Sequence, residues 1–278
     1  MNESANRYTH GHHESVLRSH RWRTAENSAA YLLPSLRSGL DLLDIGCGPG
    51  NITLDLATRV APGRTIGIDA APEAIDAART EARDRNVTDI DFEVADVYAL
   101  PYDDGSFDVV HAHQVLQHLA DPVAALREMR RVCRAGGVVA ARDSDYAAMT
   151  WFPESPALER WLDLYRTLAR ANRAEPDAGR RLLHWAQAAG FTDVESSAST
   201  WCYAAPDERA WWGGLWADRV TQSAFAEQSV ERGLATRAEL DELARSWRAW
   251  AAHSDAWFAV LHGEVLCICG SGSHASPS

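Results

Sequence analysis

The chain has no lysine; all 27 of its formally positive side chains are arginine, set against 39 aspartates and glutamates. The net charge of −12 argues against broad attraction to nucleic acid or to an anionic membrane surface. No run of about eighteen apolar residues occurs, which argues against a transmembrane helix. Residues 1–20 are polar and rich in histidine. They carry no apolar signal-peptide core, so a cytoplasmic protein is expected. The five cysteines, Cys47, Cys133, Cys202, Cys267 and Cys269, are odd in number and lack the spacing of a zinc site. They read as buried thiols in a reducing compartment. His10, His12 and His13 are close together, but no acidic or cysteine ligand stands near them at a known spacing. No metal site is expected.

What is present is a large apolar fraction, 46%, and 11 tryptophans, most of them after residue 200. Short apolar runs alternate with helical patterns. Strands are expected at 40–45, 64–68, 90–94, 107–111 and 138–141, with helices at 24–33, 72–85, 122–133 and 180–189. Further strands are expected at 194–203 and 257–268. Strands separated by helices of this length imply right-handed βαβ units and a parallel sheet. The expected fold is α/β: a Rossmann-like, mostly parallel seven-stranded sheet with helices on both faces. Residues 1–38 form a helical arm and 39–145 the core. Residues 146–178 and 206–256, helix-like and aromatic, are left over as a substrate cap. Residues 179–205 and 257–270 close the core, and 271–278 form a Gly/Ser-rich tail expected to be disordered.

The densest chemical signal is Leu43-Asp44-Ile45-Gly46-Cys47-Gly48-Pro49-Gly50-Asn51. Glycines let the backbone turn sharply from strand to helix and let a ligand lie on the main chain. At the end of the next strand, Gly67-Ile68-Asp69 offers a carboxylate that can accept both ribose hydroxyls. A dinucleotide site needs G-x-G-x-x-G, whereas here the glycines stand at 46, 48 and 50. Asp44 would repel a pyrophosphate and attract a cationic amine. A nucleoside bearing an amino acid therefore suits the loop better than NAD.

These motifs, with Ala95-Asp96, Phe107-Asp108-Val109-Val110 and Arg131-Val132-Cys133-Arg134-Ala135-Gly136-Gly137, make the chain resemble class I S-adenosylmethionine-dependent methyltransferases. The resemblance is to the branch with ubiquinone and menaquinone C-methyltransferases and natural-product methyltransferases, and it covers about residues 40–143. It implies that Asp44 and the loop of Gly46, Cys47, Gly48, Gly50 and Asn51 hold the methionine part of S-adenosylmethionine. It implies that Asp69 takes the ribose, bordered by Ala70, and that Asp96 and the Val97 backbone take the adenine. His113 and Gln114 then lie under the sulfonium. Tyr8 and His12 of the arm fold over the cofactor, with Arg23 and Thr24 as weaker carry-overs. Asp108 and the arginines 127, 130, 131 and 134 read as structural or solvated.

Methyl transfer from a sulfonium needs alignment and exclusion of water rather than a covalent intermediate. That is consistent with the lack of a nucleophile motif. His118, and His12 on the arm, are the candidate catalytic residues, His118 as a general base or as a loop-holding hydrogen-bond partner. Trp151, Trp212 and Trp216 are the candidate acceptor contacts. Trp211, Trp212 and Trp216 beside Gly213-Gly214 suggest a mobile apolar wall. The reaction expected is O- or C-methylation of a small apolar or aromatic metabolite in secondary metabolism, leaving S-adenosylhomocysteine. The expected partner is a small-molecule acceptor, with no nucleic acid and no membrane, and a homodimer stays open. Two other functions also stay open: methylation of a peptide or protein, and non-methylating use of the cofactor by a cyclase or regulator. A nicotinamide oxidoreductase is disfavoured by Asp44 and the loop spacing.

Overall fold

The computed structural model of the protein describes residues 22–270. Tyr8, the His10, His12 and His13 group and the tail at 271–278 lie outside the described residues. A short helix α1 (Ala25–Ser28) leads into β1 (Leu42–Ile45), α2 (Asn51–Val60), β2 (Thr65–Asp69), α3 (Pro72–Asp84) and β3 (Asp91–Val94). There follow β4 (Phe107–His113), α4 (Pro122–Val132), β5 (Cys133–Ser144), β6 (Thr150–Phe152) and α5 (Pro156–Ala171). The chain closes with α6 (Leu182–Ala188), β7 (Asp193–Tyr203), α7 (Pro206–Gln222), α8 (Ala224–Glu231), α9 (Arg237–Ala252) and β8 (Trp257–Ile268).

All four residues of β1 are buried, and the two-residue period of a strand divides them between two cores. Leu42 packs in a cluster with Ile52, Leu56 and Val60 of α2. Leu43 and Ile45 share another with Leu126, Met129 and Val132 of α4 and with Leu182 of α6. Helices therefore cover both faces, which is why the strand is apolar on both sides. β1 pairs in parallel with β2 and β4, β2 with β3, and β4 with β5. The strand order β3-β2-β1-β4-β5-β8 reverses direction between β1 and β4. Such a reversal opens a crevice beyond the carboxyl ends of the strands. β8 runs antiparallel to β5 and carries β7 along its length.

The Rossmann-like α/β sheet matches expectation, with eight strands among the described residues. The extra one, β6, lies in a segment read as purely helical; it pairs with residues 257–259 of β8. The arm helix is shorter than expected. Thr24 and Asn27 form a reciprocal capping box at its start, but Ala29 already leaves helical geometry. Pro34 lies within a separate 3-10 turn (Leu33–Ser35) instead of ending the helix. β5 starts at Cys133 rather than beyond the glycines, with Gly136 at a left-handed φ of 79°. Arg134 is not merely solvated: its guanidinium bridges Asp41 (2.8 Å) and Asp108 (2.7 Å). Of the cysteines, four are buried and Cys202 is exposed.

The cap segments build a second core. Trp161, Trp216 and Trp247 are fully buried in it together with Phe225 and Phe258. A Cβ on Gly213 would stand 2.8 Å from the Trp247 carbonyl oxygen and 2.7 Å from Ala251 Cβ. The glycine thus serves close approach of α7 to α9, not a hinge.

Candidate active site

The chain must leave β1 and enter α2 within a few residues, and Gly46, Gly48 and Gly50 all take positive φ, at 64°, 54° and 82°. A side chain at Gly46 is barred twice. The backbone is left-handed, and a Cβ would lie 2.4 Å from Val115 Cγ2, so the loop is seated directly against the chain leaving β4. Gly50 is the N-cap of α2 and faces Ala78 and Phe92; it does not border the cavity. Its expected place in the cofactor site becomes that of a turn residue.

Asp69 ends β2. Its Oδ2 accepts from the Gly48 amide and its Oδ1 from the Ala71 amide, each at 3.0 Å. The carboxylate is therefore fixed between the glycine loop and the turn into α3, with lone pairs left over. The N-cap of α3 is Ala71, so Asp69 is not spent as a helix cap. Asp44 stands opposite His111 in the β1–β4 register. Its Oδ1 meets His111 Nδ1 at 2.7 Å, and Thr53 Oγ1 donates to its Oδ2 at 2.5 Å. A buried carboxylate held from two sides is a preorganised charge. Asp96 is exposed and accepts from the Tyr98 amide at 2.9 Å.

These acids border one cavity of about 900 Å³. Gly46, Cys47, Gly48, Asn51, Ala70 and Val97 border it as well, as do His113, Gln114 and His118. The volume is near the top of the range for small-molecule sites, roughly 300–1,000 Å³, which leaves room for a cofactor and an acceptor together. At the strand ends the lining is acidic and glycine-rich. Toward the cap it is aromatic: Tyr146, Trp201, Tyr203, Trp211, Trp212 and Trp216. Trp212 and Trp216, two of the candidate acceptor contacts, border the cavity. Trp151 does not border the cavity; it stacks on Phe258 with ring centroids 5.6 Å apart, so its expected acceptor contact is corrected to packing.

Several lining residues were missed or passed over. Trp201 and Tyr203 are two apart on β7 and point to one buried face, with exposed Cys202 between them; strand alternation was the available signal. Tyr203 stacks on Trp212 at 4.4 Å. Trp201 Nε1 donates to the Asn27 carbonyl at 2.6 Å, which ties the arm helix to the wall. Trp22 packs edge-on against Trp201 at 5.2 Å. Arg219, buried over the Trp216 ring at 4.7 Å, is the cation of the cap side. Nothing in a helical run of mixed polarity marked it.

The floor beneath the aromatic wall is a directed hydrogen-bond chain. Arg23 Nη2 donates to Gln114 Oε1 at 2.7 Å. That leaves Gln114 Nε2 to donate to His262 Nε2 at 2.9 Å, and His262 Nδ1 to donate to the Val260 carbonyl at 3.1 Å. Burial, with Arg142 and Arg23 nearby, holds the His262 imidazole well below its usual pKa, consistent with this neutral tautomer. Behind it, Arg142 is buried between Glu264 (3.1 Å) and the Trp201 ring (4.9 Å). Arg23 thus borders the cavity, whereas Thr24 caps α1.

His118 sits in a 3-10 turn (Leu116–His118) past β4. Ser144 Oγ donates to Gln117 Oε1 at 2.6 Å, so Gln117 Nε2 donates to His118 Nε2 at 3.1 Å. Burial, helped by Arg23, pushes the His118 pKa down to about 3. A neutral imidazole whose Nε2 lone pair is engaged matches the hydrogen-bonding alternative better than a general base.

Asp143, on β5 just behind this turn, accepts from the Gln117 amide at 3.1 Å. Burial raises its pKa to about 8. Its folded-state pKa exceeds the unfolded value of about 3.9, so between those values the folded protein binds the extra proton and stability falls as pH rises. His113, His118 and His262 act oppositely. With folded pKa values below about 6.5, they cost stability only as pH falls below that value. Between pH 6.5 and 8 the Asp143 contribution therefore stands apart from theirs. Asp143→Asn is expected to flatten a decline of up to about 1.4 kcal/mol per pH unit in that window, measured by urea unfolding at several pH values. An unchanged slope would show that the Asp143 carboxyl ionises normally.

Three acids at the ends of successive parallel strands, around a turn of glycines, suit a nucleoside that carries an amino acid. This is the arrangement of a class I S-adenosylmethionine-dependent methyltransferase, and S-adenosylmethionine is its cofactor. The chain belongs to that family: residues 36–191 match the family described as Methyltransferase domain. An uncharacterized methyltransferase of Schizosaccharomyces pombe is 33% identical over 269 residues, covering 93% of this chain and 95% of that protein. Among solved structures, the YcgJ protein from Bacillus subtilis superposes with a TM-score of 0.59 at 22% identity, over 89% of this chain and 100% of that one. Phosphoethanolamine N-methyltransferase 2 of Haemonchus contortus, solved in complex with S-adenosyl-L-methionine, gives a TM-score of 0.53 at 16% identity. It covers 85% of this chain and 50% of that one.

Proposed function

We propose that the protein methylates a small acceptor with an aromatic or apolar body, at oxygen or carbon. The observation that carries this reading is the continuity of the aromatic wall with the acids of the strand ends in a single cavity. Bound S-adenosylmethionine supplies a methyl group on a positively charged sulfur. Asp44 and the glycine loop would hold its methionine part, Asp69 the ribose, and Asp96 with the Val97 backbone the adenine. The chain's own contribution is to fix these groups before binding. Asp69 and Asp44 are each held by two hydrogen bonds, so little reorganisation remains. Trp201, Tyr203, Trp211 and Trp212 form an apolar, water-excluding wall against which a planar ring packs. His118 is a loop-holding residue in this scheme.

The proposal extends to a small-molecule partner rather than nucleic acid or membrane, to secondary metabolism and to the cytoplasm. Among the described residues no helix is long and apolar enough to cross a membrane. The test is calorimetric titration with S-adenosylmethionine and S-adenosylhomocysteine, with NAD as control, followed by a screen of aromatic compounds for release of S-adenosylhomocysteine. Micromolar binding of the first two, none of NAD, and turnover with a small arene are expected. Cofactor binding with turnover only on peptides, or with none at all, would overturn it.

A further inference from the structure

His113 closes β4 and is only 6% exposed, yet neither its Nδ1 nor its Nε2 has a hydrogen-bond partner among the described residues. An imidazole deprived of water and of protein partners is costly unless something else meets it. Gln114 and His262 do not do so, because they are spent on each other and on Arg23 and Val260. The ring borders the cavity and lies 5.7 Å from Trp201 and 6.3 Å from His262, centroid to centroid. It therefore belongs to the side of β7 and β8, where the aromatic wall stands. The same half of the cavity holds two more buried polar atoms without a partner among the described residues, Tyr203 Oη and Trp212 Nε1.

We propose that His113 receives the hydroxyl of the acceptor, so that the substrate class is a hydroxylated arene and the methylated atom is oxygen. This rests on the small-acceptor reading above. A neutral imidazole offers one lone pair and one N–H. The lone pair takes the acceptor's O–H, which sets the oxygen in place, and the flat ring beyond it packs on the aromatic wall; as the O–CH3 bond forms and the S–CH3 bond of the donor breaks, that proton passes to the imidazole and is lost to solvent when the product leaves. Arg23, Arg142, His262 and His111 surround the ring. Burial first, and then these neighbours, hold its pKa well below the usual value, so the lone pair is present throughout the neutral range. A pure hydrocarbon, or a ring whose only nucleophile is carbon, leaves both nitrogens unmet.

The test is equilibrium dialysis of the protein saturated with S-adenosylhomocysteine against 2-naphthol and, separately, naphthalene. The native protein is expected to prefer 2-naphthol by about 10-fold. With His113 assigned to the acceptor rather than to its expected place under the sulfonium, the preference in His113→Phe, again at saturating S-adenosylhomocysteine, should fall to about 2-fold or less. A preference unchanged by the substitution, failure of both probes to bind, or loss of S-adenosylhomocysteine binding in the variant would each overturn the proposal. In the native protein, the ¹⁵N shifts of the His113 ring should move with 2-naphthol and not with naphthalene. Shifts that stay fixed would overturn it independently of how the variant folds. Failure of the arene screen to release S-adenosylhomocysteine would sink the methyl-transfer reading. A hydroxyl preference indifferent to His113 would sink this inference alone.

Discussion

Asp69→Ala is expected to weaken binding of S-adenosylhomocysteine by at least about 100-fold in calorimetric titration. A carboxylate hydrogen bond contributes roughly 1.5–3 kcal/mol, and a ribose presents two hydroxyls to it. Even the lower figure for both gives about 3 kcal/mol, somewhat more than two decades in affinity. The substitution acts a second time through the loop. The Gly48 and Ala71 amides both donate to this side chain, so its removal frees the glycine turn that must carry the methionine part. Asp69 is only half-buried, and its loss should move the unfolding midpoint little. Affinity within about threefold of the native value would overturn the ribose assignment.

Trp161→Ala is expected to give the largest loss of stability of any single change in the cap, about 3–5 kcal/mol. The ring has no exposed surface, and its centroid lies 4.4 Å from that of Trp216 and 4.8 Å from that of Trp247, edge-on to both. Removing it opens a large cavity among rigid neighbours that collapse poorly. For a chain of this length, the melting temperature should drop on the order of 10 °C. Asp69 and the glycine loop lie on the sheet side, away from this cap core. Affinity for S-adenosylhomocysteine below the melting range should therefore change by less than about threefold. Acceptor binding should suffer, because Trp216 both packs on Trp161 and borders the cavity. A loss under about 1 kcal/mol would show that the cap refills the space.

The cofactor half was legible in the sequence because its chemistry is local. Gly46, Gly48, Asp69 and Asp96 each lie at a strand end, and a strand followed by a turn is visible as apolar period and glycine. The acceptor half was legible only as a surplus of tryptophan. Trp151 and Trp212 looked alike in composition, yet Trp151 stacks on Phe258 and Trp212 faces the ligand space. Helix α7 shows why: Trp211, Trp212 and Trp216 all border the cavity, but how deeply each is packed depends on how α9 seats against Gly213. His262 and Arg142 could not be foreseen at all, since their partners Gln114 and Glu264 lie 148 and 122 residues away.

The sequence by itself determined the alternating strands and helices, the sharp glycine turn after β1 and the acids that end β2 and follow β3. These rest on backbone conformation and on neighbours a few residues apart. Only the tertiary structure decided that burial lowers the His118 pKa and sets its Nε2 beside Gln117, and that His113 is a buried imidazole without a partner among the described residues. A histidine's role follows from burial, from the charges around it and from which lone pairs are taken. Those are fixed when distant strands and the cap close over it, not by its place in the chain.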